Sequence, residues 1–343
     1  MQRTTLTVAE LRQAIDQLPR VHLAVLPTPL EEAARLSDAL GGPPIFFKRD
    51  DLTGLALGGN KTRHLEFILG EALQQGADTI ITGASIQSNF CRQTAAACAK
   101  LGLRCVLYLN GEEPNVPQGN LLLDHLAGAD VRVVQVRQLP DLIALCEEAA
   151  VAERQAGRNP IVVDLWHGIA SLGSVSYVDC ALELKEQLEE LGLLRASIYL
   201  SSATATQGGL ELAARALGLD WQIVGISPIR TDLVPAEVVA DLANEAAQRL
   251  KLDVCVSAAD IENQEQYIGP GYALPTTESR EALELVAETE GLFLDPVYTA
   301  KAMAGLIDHI RSGALDPSQP VIFLHTGGTP ALFAFNDWYV PSE

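Results

Sequence analysis

The sequence predicts an α/β protein in which mainly parallel sheets are flanked by helices. Apolar runs that are typical of strands alternate with stretches of helical periodicity through almost the whole chain. This alternation favours right-handed strand–helix–strand units, which build parallel sheets. At 343 residues the chain is also longer than a typical single domain. We therefore expect two domains or one large α/β unit.

In the first half of the chain the expected elements follow one another as strand and helix. The helix after the first strand begins at Lys61, and its apolar residues recur at helical spacing as far as Gly76. The expected strands are 44–50, 78–82, 104–109, 131–136 and 161–166, and the expected helices are 61–76, 87–102, near 119–127 and near 139–156.

The second half continues the alternation with one interruption. The run from Pro228 to Pro275 is expected to be the least regular part of the chain. A helix is expected to begin near Gly208, between two strands. The expected strands are 197–202, 222–227 and 321–326, and the other expected helices are at about 173–191, 278–289 and 298–311.

Composition excludes several classes of partner. The formal net charge is −20, from 24 Lys and Arg against 44 Asp and Glu, so polyanions would be repelled and neither nucleic acid nor an anionic membrane surface is expected. No apolar stretch approaches the ~18 residues of a membrane span, and the N-terminus has no apolar core of the signal-peptide type. The six cysteines contain no CxxC pair, so buried thiols rather than a metal site are expected. A cytoplasmic protein is expected.

In open parallel sheets, ligands bind at the loops beyond the carboxyl ends of the strands. The first of these loops contains Asp50 and Asp51, which we interpret as partners of nearby cations rather than as an acid/base pair. The loops that follow strands in this chain are 50–61, 83–89, 166–174, 201–209, 227–230 and 325–330.

The stretch LALGGNKTRHLEF (55–67) raises the question of what Lys61 does. A phosphate-binding loop of the Walker A type needs glycine directly before the lysine, with another glycine five residues earlier. Asn60 and Leu55 occupy those positions, so this interpretation fails. Lys61 begins a helix, where the positive end of the helix dipole lowers the pKa of an amine. A neutral amine can attack an aldehyde; a solvated lysine at a helix start is the alternative.

Two other loops offer donors to an anion. Gln87, Ser88 and Asn89 enter a helix and could bind a carboxylate, although simple capping by Ser88 is an equal alternative. The stretch SSATATQGGL (201–210) combines hydroxyl groups with glycine N–H groups and fits a phosphate cup. An ordinary strand-to-helix turn is the alternative there.

The last two stretches are LDPVYTAKAM (294–303) and HTGGTPALF (325–333). The first places Tyr298 and Thr299 at a helix start after a proline turn. The second follows the last strand with a hydroxyl group and two glycines. Both could be purely structural.

Taken together, these stretches are similar to one family. GGNK before a helix, IQSN, Thr-Gln-Gly-Gly, DPVY and HTGG occur in that order. They resemble the pyridoxal-phosphate (PLP) enzymes of the tryptophan-synthase-β-like fold (fold type II), and more narrowly the 1-aminocyclopropane-1-carboxylate deaminase / D-cysteine desulfhydrase group. The resemblance covers roughly residues 25–335. It implies a pyridoxal 5'-phosphate cofactor, a homodimer, a large PLP-binding domain of residues 1–60 and 175–343, and a small domain of residues 61–174 inserted in it.

The resemblance also implies roles for residues of this chain. Lys61 would link covalently to the cofactor aldehyde and later move the Cα proton, and Asn89 would hydrogen-bond the ring hydroxyl of the cofactor. The implied catalytic residues are Lys61, Ser88, Tyr272 and Tyr298. The implied cofactor-binding residues are Lys61, His64, Asn89, Thr206, Gln207, Gly208, Gly209 and Thr326. The implied substrate-binding residues are Gln87, Ser88, Asn89, Trp166, His167 and Thr299.

Two positions distinguish the subgroups of the family. Deaminases carry glutamate after the DPVY tyrosine and leucine in the HxGG loop, where this chain has Thr299 and Thr326. A neutral hydroxyl makes the cofactor ring a weaker electron sink than a carboxylate does. β-Elimination tolerates this, because the leaving group carries electrons away. The expected function is therefore β-elimination from a small β-substituted amino acid, with D-cysteine desulfhydrase activity giving pyruvate, ammonia and sulfide.

Three alternatives within the family stay open, namely L-cysteate sulfo-lyase activity, ring-opening deamination of 1-aminocyclopropane-1-carboxylate, and another substrate of a divergent member. A binding protein that keeps the fold without catalysis is a fourth, against which the intact Lys61, Ser88 and Tyr298 speak. The chain also departs from the family pattern. His64 stands where lysine is usual, and Trp166 and His167 stand in a loop that is usually rich in glycine and serine, so the substrate pocket is expected to differ.

Overall fold

The computed structural model describes residues 5–166, 168–202, 204–230, 233 and 235–335. Its α-helices are α1 Val8–Ile15, α2 Ala34–Leu40, α3 Lys61–Gln74, α4 Asn89–Leu101, α5 Gly119–Leu126, α6 Leu139–Gln155, α7 Ser171–Glu190, α8 Ala205–Leu217, α9 Ala236–Arg249, α10 Thr277–Glu290 and α11 Thr299–Arg311. Its strands are β1 Leu30–Glu32, β2 Ile45–Lys48, β3 Thr79–Ser85, β4 Arg104–Asn110, β5 Asp130–Val134, β6 Pro160–Val162, β7 Arg195–Ser201, β8 Asp220–Ile226, β9 Glu262–Gln264 and β10 Val321–Leu324.

The strands form two sheets with helices packed on them. The six-stranded sheet has the order β1-β2-β10-β7-β8-β9, and the four-stranded sheet has the order β5-β4-β3-β6. Every described strand pair is parallel except β1 with β2. The predicted α/β class with mainly parallel sheets is therefore confirmed. The four-stranded sheet lies between Thr79 and Val162, and the domain boundaries at 61 and 174 remain a prediction.

The expectation of an irregular run between Pro228 and Pro275 is wrong for its middle. Helix α9 occupies 14 residues of it. Pro235 directly precedes the helix, and Glu237 lies in its first turn, where a negative charge is favourable. Its buried residues are Val239, Ala240, Leu242, Ala243, Ala246 and Ala247. The prolines that mark the flanking loops conceal this helix in the sequence.

Helix α8 begins at Ala205, three residues before the expected start near Gly208. Its two glycines lie inside the helix, where they allow α8 to approach α7 closely. A Cβ atom at Gly209 would lie 2.3 Å from the carbonyl oxygen of Ser174 and 2.5 Å from Cβ of Tyr177. Glycine is therefore required here by helix packing, since these distances leave no space for a side chain.

A buried ion network ties α3 to β2 and α7. Asp50 accepts hydrogen bonds from the Arg63 guanidinium, through Nε and Nη2 at 3.0 Å each, and from the hydroxyl of Tyr177 at 2.5 Å. Arg63 also pairs with Glu183 at 2.9 Å, and Lys48 pairs with the same carboxylate. Burial opposes ionisation, but Arg63 and Lys48 hold the pKa of Asp50 below its usual range.

The neighbouring carboxylate has its own cation. Asp51 pairs with Arg49 at 2.8 Å. The interpretation of Asp50 and Asp51 as partners of cations is therefore confirmed. Among the described residues, no helix is long and apolar enough to cross a membrane.

We expect Asp50→Asn to lower the free energy of unfolding by about 3–5 kcal/mol, because it leaves the buried guanidinium of Arg63 without its main counter-charge. Urea denaturation followed by circular dichroism measures this loss. The matched control is Glu186→Gln, which breaks the exposed pair of Glu186 with Arg12 at 2.8 Å and should cost less than about 1 kcal/mol. Equal losses in the two variants would contradict the structural role of the network.

Candidate active site

Three sequence motifs that lie far apart in the chain meet at close-approaching glycines. A Cβ atom at Gly327 of HTGG would lie 2.7 Å from Cα of Gly59 in GGNK. A Cβ atom at Gly328 would lie 2.6 Å from the Asp295 carboxyl of DPVY. The backbone N–H of Asn60 donates to the carbonyl of Thr326 at 3.0 Å. These glycines bring the start of α3, the start of α11 and the loop after β10 together.

Lys61 is the first residue of α3 and is half-buried where these loops meet. Within the described part of the chain its amine forms no hydrogen bond and no ion pair. Burial lowers the pKa of Lys61 to about 8, because removal from water disfavours the ammonium form. The structure thus holds an uncommitted amine that is partly neutral near neutral pH.

Neutral donors from Asn60 and His64, at the start of α3, surround the hydroxyl of Thr206. The side-chain amide of Asn60 donates to Thr206 Oγ1 at 3.0 Å, and His64 Nε2 lies 3.2 Å from the same oxygen. The N–H groups of Ala205 and Thr206, in the first turn of α8, form no hydrogen bond with any described residue. Unpaired N–H groups at a helix start favour an anion.

His64 contributes to this group as a neutral imidazole. Burial, followed by the charges of Lys61 and Arg63, holds the pKa of His64 well below its usual range. Its ring packs edge-on against Tyr177, with 5.5 Å between the centroids. His64 therefore lies where the resemblance places a phosphate contact, but it brings no positive charge.

The other residues of the expected phosphate loop are placed differently. The side chain of Gln207 donates to the carbonyl of Glu262 in β9 at 2.8 Å, and its backbone N–H is bonded to Ser202 Oγ at 3.3 Å. The N–H of Gly208 donates to the carbonyl of Thr204 at 3.1 Å. In this structure Gln207 joins α8 to β9, and Gly208 with Gly209 allows helix packing.

In the IQSN loop the side chains of Gln87 and Ser88 make structural hydrogen bonds, whereas Asn89 keeps donors that have no partner among the described residues. Gln87 is held by α5, since its Oε1 accepts from the N–H of Asn120 at 2.8 Å and its Nε2 donates to the carbonyl of Gln118 at 3.1 Å. Ser88 caps α4, with Oγ accepting from the N–H of Cys91 at 3.2 Å. Asn89 accepts from the Asn120 amide at 3.0 Å, so its own NH₂ group is left to donate.

Tyr272 and Tyr298 come together from different parts of the chain. Their hydroxyls form a close hydrogen bond, and their ring centroids are 5.9 Å apart. Ser85 Oγ lies 3.1 Å from the hydroxyl of Tyr272. Burial raises the pKa of Tyr272, and burial together with Tyr272 raises the pKa of Tyr298. Both phenols are therefore protonated at neutral pH.

Lys301 holds the loop that carries Tyr272. Its buried ammonium donates to the carbonyls of Ile268 at 2.7 Å and Gly271 at 2.9 Å. Sequence reasoning did not identify Lys301 or Ser85. A serine at the end of a strand and a lysine inside a helix have no local signal, because their partners are distant in sequence.

Thr299 and Thr326, the two positions that distinguish the subgroups of the family, differ in their hydrogen bonds. Thr299 donates to the Asp295 carboxylate at 2.7 Å, which also accepts the N–H groups of Val297, Tyr298 and Thr299 at 2.9 Å each. The hydroxyl of Thr326 forms no hydrogen bond with the described residues. Thr299 is thus part of the turn that begins α11.

Trp166 lines a small cavity between β3, β6 and α6. Gly83, Leu142 and Cys146 line the same cavity. Its expected contact with substrate stays a prediction. The expected substrate contact of His167 falls outside the described residues.

The donor set fits a small aldehyde that carries a phosphate group. Lys61 offers a free amine with a lowered pKa. The hydroxyl, amide, imidazole and N–H groups around Thr206 can surround an anion, and two of these groups belong to Asn60 and His64, which lie close to Lys61 in the chain. The amide of Asn89 and the paired tyrosines supply further donors.

Comparison with known proteins agrees with this chemistry. D-cysteine desulfhydrases of Salmonella newport and Salmonella enteritidis are 40% identical over 327 residues, which cover 94% of this chain and 98% of theirs. A crystal structure of an ACC deaminase homologue has a TM-score of 0.87 and 34% identity, covering 96% of this chain and 98% of that chain. Escherichia coli diaminopropionate ammonia lyase in its apo form, at 17% identity and a TM-score of 0.66 with coverage of 97% and 92%, shares the fold.

Residues 21–327 match the family described as "Pyridoxal-phosphate dependent enzyme". This match spans most of the sequence and includes the Lys61 loop, the IQSN loop, the start of α8 and the HTGG loop as far as Gly327. The chain therefore belongs to the family of pyridoxal-phosphate dependent enzymes.

Proposed function

We propose that this chain is a PLP-dependent lyase that catalyses β-elimination from D-cysteine and releases pyruvate, ammonia and sulfide. The main structural support for enzymatic activity is the half-buried amine of Lys61, which has a pKa of about 8. Donors that could bind an anion lie at Thr206, where Asn60 and His64 contact its hydroxyl. The substrate is supported by the D-cysteine desulfhydrases that are 40% identical over almost the whole chain.

When bound, pyridoxal phosphate supplies an aldehyde that links covalently to amines and a ring that delocalises negative charge from Cα. In this proposal Lys61 is the residue that it links to. The phosphate is held by the hydroxyl of Thr206, the N–H groups of Ala205 and Thr206, the Asn60 amide and His64. The free NH₂ group of Asn89 is left for the ring hydroxyl.

Lys61 also moves a proton. As a neutral amine it can take the proton from Cα of the substrate and later return a proton. Ser88, whose Oγ accepts from the N–H of Cys91, retains its own hydroxyl proton and can donate it to the substrate carboxylate. This arrangement would hold Cα within reach of Lys61.

Tyr298 and Tyr272 serve as the acid for the departing group. Their phenols stay protonated because burial raises the pKa of both. A protonated hydroxyl near Cβ can donate to the sulfur as the carbon–sulfur bond breaks. We place Tyr298 nearest to the sulfur, since Tyr272 lies between Tyr298 and Ser85.

Ring-opening deamination is the second candidate, and the ACC deaminase homologue with a TM-score of 0.87 favours it. Thr299 and Thr326 favour β-elimination, because a neutral hydroxyl makes the cofactor ring a weaker electron sink than a carboxylate does. L-Cysteate and other β-substituted alanines are the remaining substrates to test. A screen for pyruvate release from D- and L-cysteine, L-cysteate, β-chloroalanine, serine and the cyclopropane amino acid separates these activities.

The proposal includes a homodimer in the cytoplasm. Leu122 and Leu126 on α5 are exposed, and Phe333 is exposed in the 3₁₀ helix that packs on α5. A second copy of the chain would cover such an apolar surface. Light scattering coupled to gel filtration measures the mass in solution.

We expect Lys61→Ala to abolish covalent attachment of the cofactor, because Lys61 is the amine at the site. Borohydride reduction followed by peptide mass spectrometry should find the cofactor on Lys61 in the wild-type protein and on no lysine in the variant. Lys185→Ala, which removes a surface lysine paired with Glu189, is the control and should leave the attachment unchanged. Attachment that persists in Lys61→Ala would refute the assignment.

We expect the rate of reconstitution with pyridoxal phosphate to rise with pH and to reach half its maximum near the Lys61 pKa of about 8. Below that pH the amine is protonated and cannot attack an aldehyde, whereas above it the neutral form predominates. Stopped-flow absorbance over a pH series measures the rate. A midpoint near the unperturbed lysine pKa of about 10.4 would contradict the effect of burial.

We expect Thr299→Glu combined with Thr326→Leu to reduce sulfide release from D-cysteine by about tenfold or more. A tenfold reduction corresponds to about 1.4 kcal/mol in the activation barrier. The introduced carboxylate changes the electron demand at the ring and disturbs the turn around Asp295. Sulfide release at saturating D-cysteine is the measurement, with Thr326→Leu alone as control. An unchanged rate in the double variant would count against the role of the two threonines.

A further inference from the structure

We propose that Ser85 is a positioning residue, the third member of a hydroxyl chain Ser85–Tyr272–Tyr298 that sets the direction in which the two tyrosines hold their protons. This inference rests on the proposed β-elimination and deepens it. It adds a residue that neither the sequence motifs nor the family resemblance singles out.

Ser85 occupies a rigid position at the edge of the site. It is the last residue of β3 and pairs with Asn110 at the end of β4. Its hydroxyl lies 3.1 Å from that of Tyr272 and forms no other hydrogen bond within the described part of the chain. Tyr272 in turn bonds to Tyr298. The three hydroxyls therefore form a continuous row.

A row of hydroxyls has two proton orders. Each hydroxyl carries one proton and can accept two hydrogen bonds. When Ser85 donates to Tyr272, Tyr272 donates to Tyr298, and the proton of Tyr298 is left to point away from the row. In the opposite order Tyr298 donates to Tyr272, and no proton faces the substrate. Ser85 stabilises the first order by supplying a donor to Tyr272.

The surrounding residues keep the row in place. Lys301 fixes the loop before Tyr272, and the Asp295 carboxylate accepts the N–H of Tyr298 at 2.9 Å. Burial raises the pKa of both tyrosines, and the charges of Asp295 and Cys91 act in the same direction, while the hydrogen bonds with Ser85 and Tyr298 lower the pKa of Tyr272. Loss of the Ser85 hydroxyl is therefore expected to change the pKa of Tyr272.

The proton balance of the elimination follows from this row. As the carbon–sulfur bond breaks, its electron pair goes to sulfur, which takes the proton of Tyr298. Tyr298 takes the proton of Tyr272, Tyr272 takes that of Ser85, and Ser85 takes one from the solvent. Lys61 releases to the solvent the proton that it took from Cα, so the solvent neither gains nor loses a proton. The net change is transfer of the Cα proton to the departing hydrosulfide, which leaves as H₂S.

The test compares Ser85→Ala, which removes the hydroxyl, with Ser85→Thr, which keeps it. We expect Ser85→Ala to lower kcat for D-cysteine by about five- to tenfold, the worth of one hydrogen bond, with KM within about twofold of wild type. Ser85→Thr should restore most of kcat. A proton inventory in H₂O/D₂O mixtures should be curved for the wild type and closer to linear for Ser85→Ala, because fewer protons move together.

The control is Thr82→Val on the same strand. Thr82 donates to the carbonyl of Val163 at 2.8 Å and does not contact the tyrosines. Its loss weakens the sheet but should leave kcat and the proton inventory unchanged. If Ser85→Ala only weakened β3, the two variants would behave alike, and that result would overturn the inference.

A readout without substrate separates this inference from the proposed function. Ultraviolet titration of the tyrosines in the cofactor-loaded protein should show one phenol ionising at higher pH in Ser85→Ala than in wild type, because the donor that favours the phenolate is gone. An unchanged titration, or a Ser85→Thr variant that behaves as Ser85→Ala, overturns the role of Ser85. A shifted titration in a protein that releases no sulfide from D-cysteine overturns the proposed substrate instead.

Discussion

The buried ion pair of Arg63 with Asp50 is the constraint on which the site depends. It fixes one face of α3 to the end of β2 and to α7, through contacts of 3.0 Å to Asp50 and 2.9 Å to Glu183. His64, the next residue of the helix, is thereby held against α8, with its Nε2 3.2 Å from Oγ1 of Thr206. Arg63 is committed to these carboxylates, and burial, followed by the charges of Lys61 and Arg63, holds the pKa of His64 well below its usual range.

Glycines complete the site in two different ways. Gly59, Gly327 and Gly328 allow three loops to approach so closely that no side chain would fit between them. Gly209 instead lets α8 pack against α7, and Thr206 of α8 lies beside Asn60 and His64. The first N–H groups of α8 form no hydrogen bond with the described residues. In the proposed site the donors for an anion are N–H groups at a helix start and neutral side chains, which would hold the anion against the unfavourable field of a chain with a net charge of −20.

Several features could be predicted because they depend on local pattern. The strand–helix alternation predicts the elements from β2 to β8, and α10, α11 and β10, within a few residues, whereas α1, β1, α2 and β9 were not predicted. Asp50 and Asp51 were correctly interpreted as partners of cations. Helix α9 was missed because the prolines around it dominate the local signal.

The sequence alone determined the α/β class and the order of the motifs, since the class follows from the periodicity of apolar residues and the order is read directly from the chain. Tertiary structure alone decided that Gln207 bonds to β9, that Gly208 and Gly209 serve packing, and that Ser85 meets Tyr272, 187 residues away. The physical reason is that a side chain's partner depends on which surfaces long-range packing brings together, and no local pattern specifies that.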